Sequence, residues 1–376
     1  MVLLFVGGGA VLVPQVASAQ TSPAWVVVPS PNVRNAAGDP LVAVSCTSPT
    51  ACTTVGTRFF SNRTHTLIQS WNGKRWRNMH SPNAKGANDL NGVSCSSPLA
   101  CMAVGDVELP GTTQTLIESW NGSTWSIVPS PNVPNTVDTL SGVSCTGPSS
   151  CMAVGSDNEQ TLIESWNGST WSIVPSPNPP LAQNSLLNAV SCTSPSACTT
   201  VGLSIFPPTQ TLQTLDHTLI ESWNGSTWSV VPSPNVSSTE NDRLVGVSCS
   251  SPTACVAVGE NDSGTTVQPV IELWNGSTWS IVPSPKASAT SSVLNGVWCS
   301  SSSACTSVGY DSDGNTLIES WDGSTWSIVP SPNVPNSRNA LSGVSCTGAT
   351  ACTAAGTFGT GFLGQTLVES QLPVVK

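Results

Sequence analysis

Short apolar runs broken by turn-forming residues recur along the whole chain, and they recur in sets of four. The cleanest set spans residues 140 to 178: Leu140-Ser-Gly-Val-Ser-Cys145, Cys151-Met-Ala-Val-Gly155, and Thr161-Leu-Ile-Glu-Ser-Trp166-Asn-Gly-Ser-Thr-Trp171-Ser-Ile-Val-Pro-Ser-Pro177-Asn178. It predicts four short strands: a (142–145), b (151–155), c (161–166) and d (170–174). Asn-Gly between c and d is a strong hairpin signal, because both residues tolerate the positive φ of a type I′ turn. With Asn167 and Gly168 as a two-residue turn, Trp166 is expected to face Ser169 and Glu164 to face Trp171.

The set returns every 47 to 57 residues, and paired cysteines count it: 46/52, 95/101, 145/151, 192/198, 249/255, 299/305 and 346/352. Seven four-stranded units, beginning near 41, 90, 140, 187, 244, 294 and 341, predict an all-β, seven-bladed β-propeller occupying residues 20–376 as one domain. The seventh unit ends after Thr366-Leu-Val-Glu-Ser370 without a strand d, whereas Trp25-Val-Val-Val-Pro-Ser-Pro-Asn32 stands alone near the beginning. The N-terminal strand is therefore expected to complete the last blade and close the ring. Six Trp pairs plus Trp25 and Trp298 account for all 14 tryptophans, which makes Trp a framework residue here.

The order of strands resembles the kelch-type propeller, in which an outer Trp strand leads through a proline-containing turn to the next blade. The resemblance covers residues 25 to 372. It departs from kelch in having one glycine after strand b (Gly56, Gly105, Gly155, Gly202, Gly259, Gly309, Gly356) instead of a doublet, and in its extra cysteines. Galactose oxidase shares the propeller, but its copper site needs Tyr and His ligands. With one Tyr and three His in the chain, that activity is not implied, and no cofactor is expected.

Charged residues make up only 9% of the chain, and the net charge is -10 with 11 Lys and Arg. Nucleic acid is set aside as a partner on that balance. Residues 1–19 read as an export signal: an apolar run from Val2 to Val13, Pro14, then Ala17-Ser18-Ala19 before Gln20, without the positively charged opening such signals usually carry. No later stretch has 18 unbroken apolar residues, so the mature chain is expected to carry no helical membrane span and to be a secreted or cell-surface protein, a monomer.

In an exported chain, seven Cys pairs with five intervening residues predict seven local disulfides: Cys46–Cys52, Cys95–Cys101, Cys145–Cys151, Cys192–Cys198, Cys249–Cys255, Cys299–Cys305 and Cys346–Cys352. Zinc sites want closer ligand spacing. Asp311, Asp313 and Asn315 offer oxygen atoms for a weak calcium site, but they lack the remaining positions of a calcium loop, and an ordinary turn is the plainer reading. His65 and His217 occupy the same repeat position, which Gln or Asn fills in other units.

Alternating strands put the a–b and c–d turns on one rim, and the b–c loops and d-to-a crossings on the other. Length varies only on the second rim: about five residues in blade 3 (156–160) and fifteen in blade 4 (203–217). Functional variation gathers on such loops. Phe59, Phe60, Phe206, Phe358 and Phe362 fall there, outside the repeat pattern, and are expected either to form an apolar patch over blades 7, 1 and 4 or to fold inward. Arg34, Arg58 and Arg338 lie nearby and suit an anionic group. Glu118, Glu164, Glu221, Glu272, Glu319 and Glu369, with Gln69 in blade 1, recur on strand c as scaffold, and Asn-Gly-Ser at 121, 167, 224 and 275 matches the N-glycosylation sequon through its turn residues.

The function expected is a non-catalytic binding module for an extracellular protein or glycan, acting through the variable rim. A glycan-active hydrolase or lyase using Asp157 or Asp311 with Arg34 or Arg338 is the first alternative. A structural protein of the cell envelope is the second.

Overall fold

A computed structural model describes residues 24–61, 63–208, 214–359 and 364–371, so the export segment lies outside the described residues. Seven four-stranded antiparallel sheets follow one another around a ring. In blade 3, strand a is Asp138–Gly147, b is Ser150–Asp157, c is Gln160–Trp166 and d is Trp171–Ile173. The last blade is completed by the first strand: Trp25, Val26 and Val27 pair with Gln371, Ser370 and Glu369. Among the described residues no helix is long and apolar enough to cross a membrane.

The c–d turn differs from expectation. Trp166 faces Trp171 and Glu164 faces Ile173, so the connection has four residues, 167–170, and not two. The Asn167 side-chain oxygen accepts from the backbone N–H of Ser169 and of Thr170 at 2.9 and 3.0 Å, while Gly168 alone takes a positive φ of 95°. Asn serves here through its side-chain turn and not through left-handed backbone. Asp322 does the same in blade 6, and the N–H bonds it accepts hold its carboxyl down at about 2. The six Trp pairs stack directly across the hairpin, centroids 5.6 to 5.8 Å apart. The outer Trp166 ring N–H donates to Pro148 O in the a–b turn, which ties the two hairpins of a blade together.

All seven disulfides pair as expected, between residues of strands a and b with Cα atoms 3.9 to 4.0 Å apart. Cys145 and Cys151 are direct cross-strand partners. The single glycine of the motif, which lies within strand b, has an equally local cause. A β-bulge between Leu140 and Gly142 presses strand a against Gly155, so that a Cβ there would lie 2.0 Å from Thr139 O. The corresponding glycines of the other blades meet strand a at 1.9 to 2.0 Å.

The core lies between blades. One cluster joins Met102, Val104 and Ile117 of blade 2 to Leu140, Ala153, Leu162 and Trp171 of blade 3. A polar latch runs alongside it, built from the Ser-Pro-Asn that follows each strand d. Ser130 bonds the Thr115 hydroxyl within its own blade and the Glu164 carboxylate in the next, and the Asn132 side-chain oxygen accepts from Thr115 N–H. The Ser-to-Glu bond recurs from Ser81 to Glu118, Ser176 to Glu221, Ser233 to Glu272, Ser284 to Glu319 and Ser331 to Glu369. Blade 5 explains itself by exception: Pro269 replaces the latch Thr and has no N–H to give, and at the matching Asn position the chain carries Lys286.

Candidate functional site

The rims are as expected, and only one varies. Each c–d turn has four residues, and the a–b connections of blades 1 to 6 have two. The b–c connections run from two residues in blade 3 (158–159) to eight in blade 4 (207–214). The b and c strands extend further towards this rim than the apolar pattern indicated. Phe59, Phe60, Phe206 and Phe358 consequently end strand b instead of sitting in loops, and each is half-buried. Phe358 packs on the core of blade 7. Phe60 stands edge-on to His65 across its hairpin, centroids 5.3 Å apart, and Phe206 lies 5.0 Å from His217 in blade 4. Blades 7 and 1 are neighbours, but blade 4 is three blades from each around the ring, so Phe206 does not share a patch with the others. Phe362 lies outside the described residues.

At the joint of blades 7 and 1 a recess of about 410 Å³ is lined by Asn35, Ala36, Ala37, Phe60, Ser61, Arg63 and His65. The d-to-a crossing forms its wall, tied to strand b by Ala37 N–H to Phe59 O and Phe59 N–H to Gly38 O, 2.7 and 2.8 Å. Below it Asp39 is 2% exposed, and one carboxylate oxygen accepts from Val33 N–H while the other has no partner. Burial raises the Asp39 carboxyl above its ordinary value, against the opposing pull of the Val33 N–H and Arg58. Burial also lowers the half-buried Arg58, whose Nε is unpartnered, with Asp39 pulling the other way. Burial lowers His65 too, and Arg63 and Arg58 add to the effect. Arg34 is exposed on the same crossing. Sequence reasoning placed Arg58 and Phe60 near one another but missed Asn35 and Ser61, which no repeat position marks.

Arg338 is exposed at the start of strand a in blade 7, its side chain against Gly314 of blade 6. Asp311 accepts from the Asn315 backbone N–H and side-chain amide, an ordinary turn, and Asp313 is exposed. Among the described residues no group of three His, Cys, Asp or Glu is placed to hold a metal ion. Asp157 faces Asp138 within blade 3, three blades from Asp311, so these two carboxylates do not converge. The six strand-c glutamates are wholly buried with Ser hydroxyls as partners. Burial pushes Glu118, Glu164, Glu221, Glu319 and Glu369 up to about 7 and Glu272 to about 8.

The central channel is lined by strand a of every blade. Around it the hydroxyl oxygens of Ser45, Ser94, Ser144, Ser191, Ser248 and Ser345 each accept from the cysteine N–H of the following blade at 2.9 to 3.0 Å. Trp298 takes this position in blade 6 and packs against the core of blade 7 instead.

No protein-family model matches the chain, and no curated protein matches it. Solved structures do. That of YCF48 bound to D1 peptide is similar at a TM-score of 0.57 and 12% identity, covering 94% of this chain and 100% of that one. The structure of U3-55K is similar at 0.58 and 11%, covering 93% and 100%. YCF48 from Cyanidioschyzon merolae gives 0.56 and 14%, covering 94% and 100%. At these identities the likeness is one of fold, and it establishes the chain as a seven-bladed β-propeller.

Proposed function

We propose that this chain is a secreted, non-catalytic propeller that binds an extracellular protein or glycan through the rim carrying its b–c connections and d-to-a crossings. One observation carries the reading: variation in connection length is concentrated on that rim, while the opposite rim keeps the same turn lengths through blades 1 to 6. The recess beside Phe60 supports it, since it combines an aromatic ring, an amide, a hydroxyl and the guanidinium of Arg63 at a joint between blades. Seven disulfides support an oxidising exterior. The similar structure of YCF48 is described as bound to a peptide, which supports a propeller of this kind serving as a docking scaffold. The kelch-type resemblance belongs to this reading, on the outer Trp strand and the proline-containing crossing.

Glycan arrays and pull-downs with the secreted protein test it, using Phe60→Ser with Arg63→Ser, and separately a blade 4 whose 203–217 segment is replaced by 156–160 of blade 3. Capture of a ligand that either variant loses supports the rim. Retained capture by both variants overturns it, and turnover of a captured glycan favours the enzyme.

A further inference from the structure

The chain's charge is divided unevenly between one blade and the other six. Residues 34–85 hold seven of the 11 Lys and Arg and one of the 21 acidic residues, so this stretch is +6 and the remainder -16. Six of the seven cations, Arg34, Arg63, Lys74, Arg75, Arg77 and Lys85, are exposed. Among the described residues the one ion pair is Arg243 with Glu260, in blade 5, so these six exposed cations form no ion pair there.

The repeat supplies its own control. Blades 2 to 6 carry Ser-Thr-Trp-Ser, or its like, through the c–d turn into strand d, as at Ser169-Thr-Trp-Ser172. Blade 1 has Lys74-Arg-Trp-Arg77 on the same backbone positions. Trp76 is buried in the core, and Arg75, the last residue of the c–d turn, and Arg77, in the edge strand Trp76–Asn78, flank it with both side chains exposed. Edge charges commonly block strand-to-strand aggregation. The other blades nonetheless leave equally short outer strands uncharged, so protection of an edge does not require these three residues.

The complement of this strip is not the chain itself. Six glutamates are sealed in the latches, Asp138 and Asp242 are buried, and the exposed acids Glu108, Glu159, Asp313 and Asp322 lie scattered over blades 2, 3 and 6. Nor does the strip suit single-stranded nucleic acid, since the aromatic neighbours Trp76 and Trp71 are buried and half-buried, leaving no platform for stacking bases. What remains is a repeating oxyanion, for which closely spaced Arg and Lys are suited. We propose that the outer edge of blade 1, centred on Lys74, Arg75 and Arg77, is a docking strip for a linear anionic polysaccharide bearing sulfate or carboxylate groups, separate from the variable rim.

The test restores the repeat. The variant Lys74→Ser, Arg75→Thr, Arg77→Ser takes residues that five other blades already carry, so it is expected to melt with the parent protein. Binding to dextran sulfate and to polygalacturonate is measured across a salt series, with neutral dextran and duplex DNA as comparisons. The proposal expects the parent to bind the two anionic polysaccharides with an affinity that falls as salt rises, and the variant to bind at least tenfold more weakly. No binding by the parent at low salt, or equal binding by the variant, overturns it. DNA bound as tightly as the polysaccharides overturns the choice of ligand, and a concentration-dependent mass that the variant loses would make the strip a contact between copies. Rim variants that abolish protein or glycan capture leave this result unchanged, so the two readings fail separately.

Discussion

The hydroxyl of Ser130 lies 3.0 and 2.8 Å from the two carboxylate oxygens of Glu164, across the joint of blades 2 and 3, and behind it stands the hydroxyl of Thr115. No cation faces this group, and the charge nearest it in effect is Asp138, which raises the carboxyl further. The latch therefore suits a protonated acid. A neutral carboxyl donates one hydrogen bond and accepts another inside the joint, whereas a carboxylate is left in an apolar slot with weak compensation.

Stability should accordingly depend on pH in one direction. The six glutamates have folded values of about 7 to 8 against an ordinary 4.5. Their contribution is fully present below about 4.5 and is lost as pH rises through about 7 to 8. Thermal melts at pH 5 and pH 8.5 should differ by roughly 10 °C in favour of the acid side. A flat profile would remove the account of the latches.

Glu164→Gln isolates one joint. At pH 5 the substitution should be nearly silent, because an amide also donates and accepts. At pH 8.5 it should stabilise by about 2 kcal/mol through removal of a buried charge. Blade 1 already uses this solution: Gln69 donates to Pro31 O and to the Asn78 side chain at 2.6 and 2.9 Å. Chemical denaturation at the two pH values reads both effects.

Gly155→Ala should be among the most damaging single changes. Its Cβ would meet Thr139 O at 2.0 Å, and neither strand has room to retreat without breaking the bulge. A loss of more than about 3 kcal/mol in a urea titration is expected, with the same result at Gly105 or Gly309.

Trp25→Ala tests ring closure. The indole is 5% exposed within the cluster that joins blades 6 and 7, and its strand is held by three register pairs. A cost of about 3 to 5 kcal/mol is expected from the cavity. Unchanged melting would mean that the ring does not depend on its first strand.

Much of this architecture was legible in the chain because repetition amplifies weak local signals. The cysteine spacing counted the blades, and the solitary Trp25 segment matched the strand missing after Ser370. The c–d turn was misread because Asn-Gly is compatible with two turn chemistries, and only the facing of Trp166 with Trp171 distinguishes them. The rim was harder. Phe59 and Phe60 looked like loop residues because strands b and c run beyond the apolar pattern, held there by backbone pairing that side-chain periodicity does not report. The basic strip needed blade-by-blade comparison of the outer strand, since the whole-chain charge of -10 conceals it.

Trp25 and Gln371 face each other at one end of an antiparallel pair, so the first and last described strands leave the ring side by side. Traction applied to those two ends would load the pairing one bond after another, as in opening a zip, and would not shear it along its length. The seam should therefore yield at lower force than any joint inside the ring. The blades beyond it, each with its own crosslinked hairpin, would then come away singly.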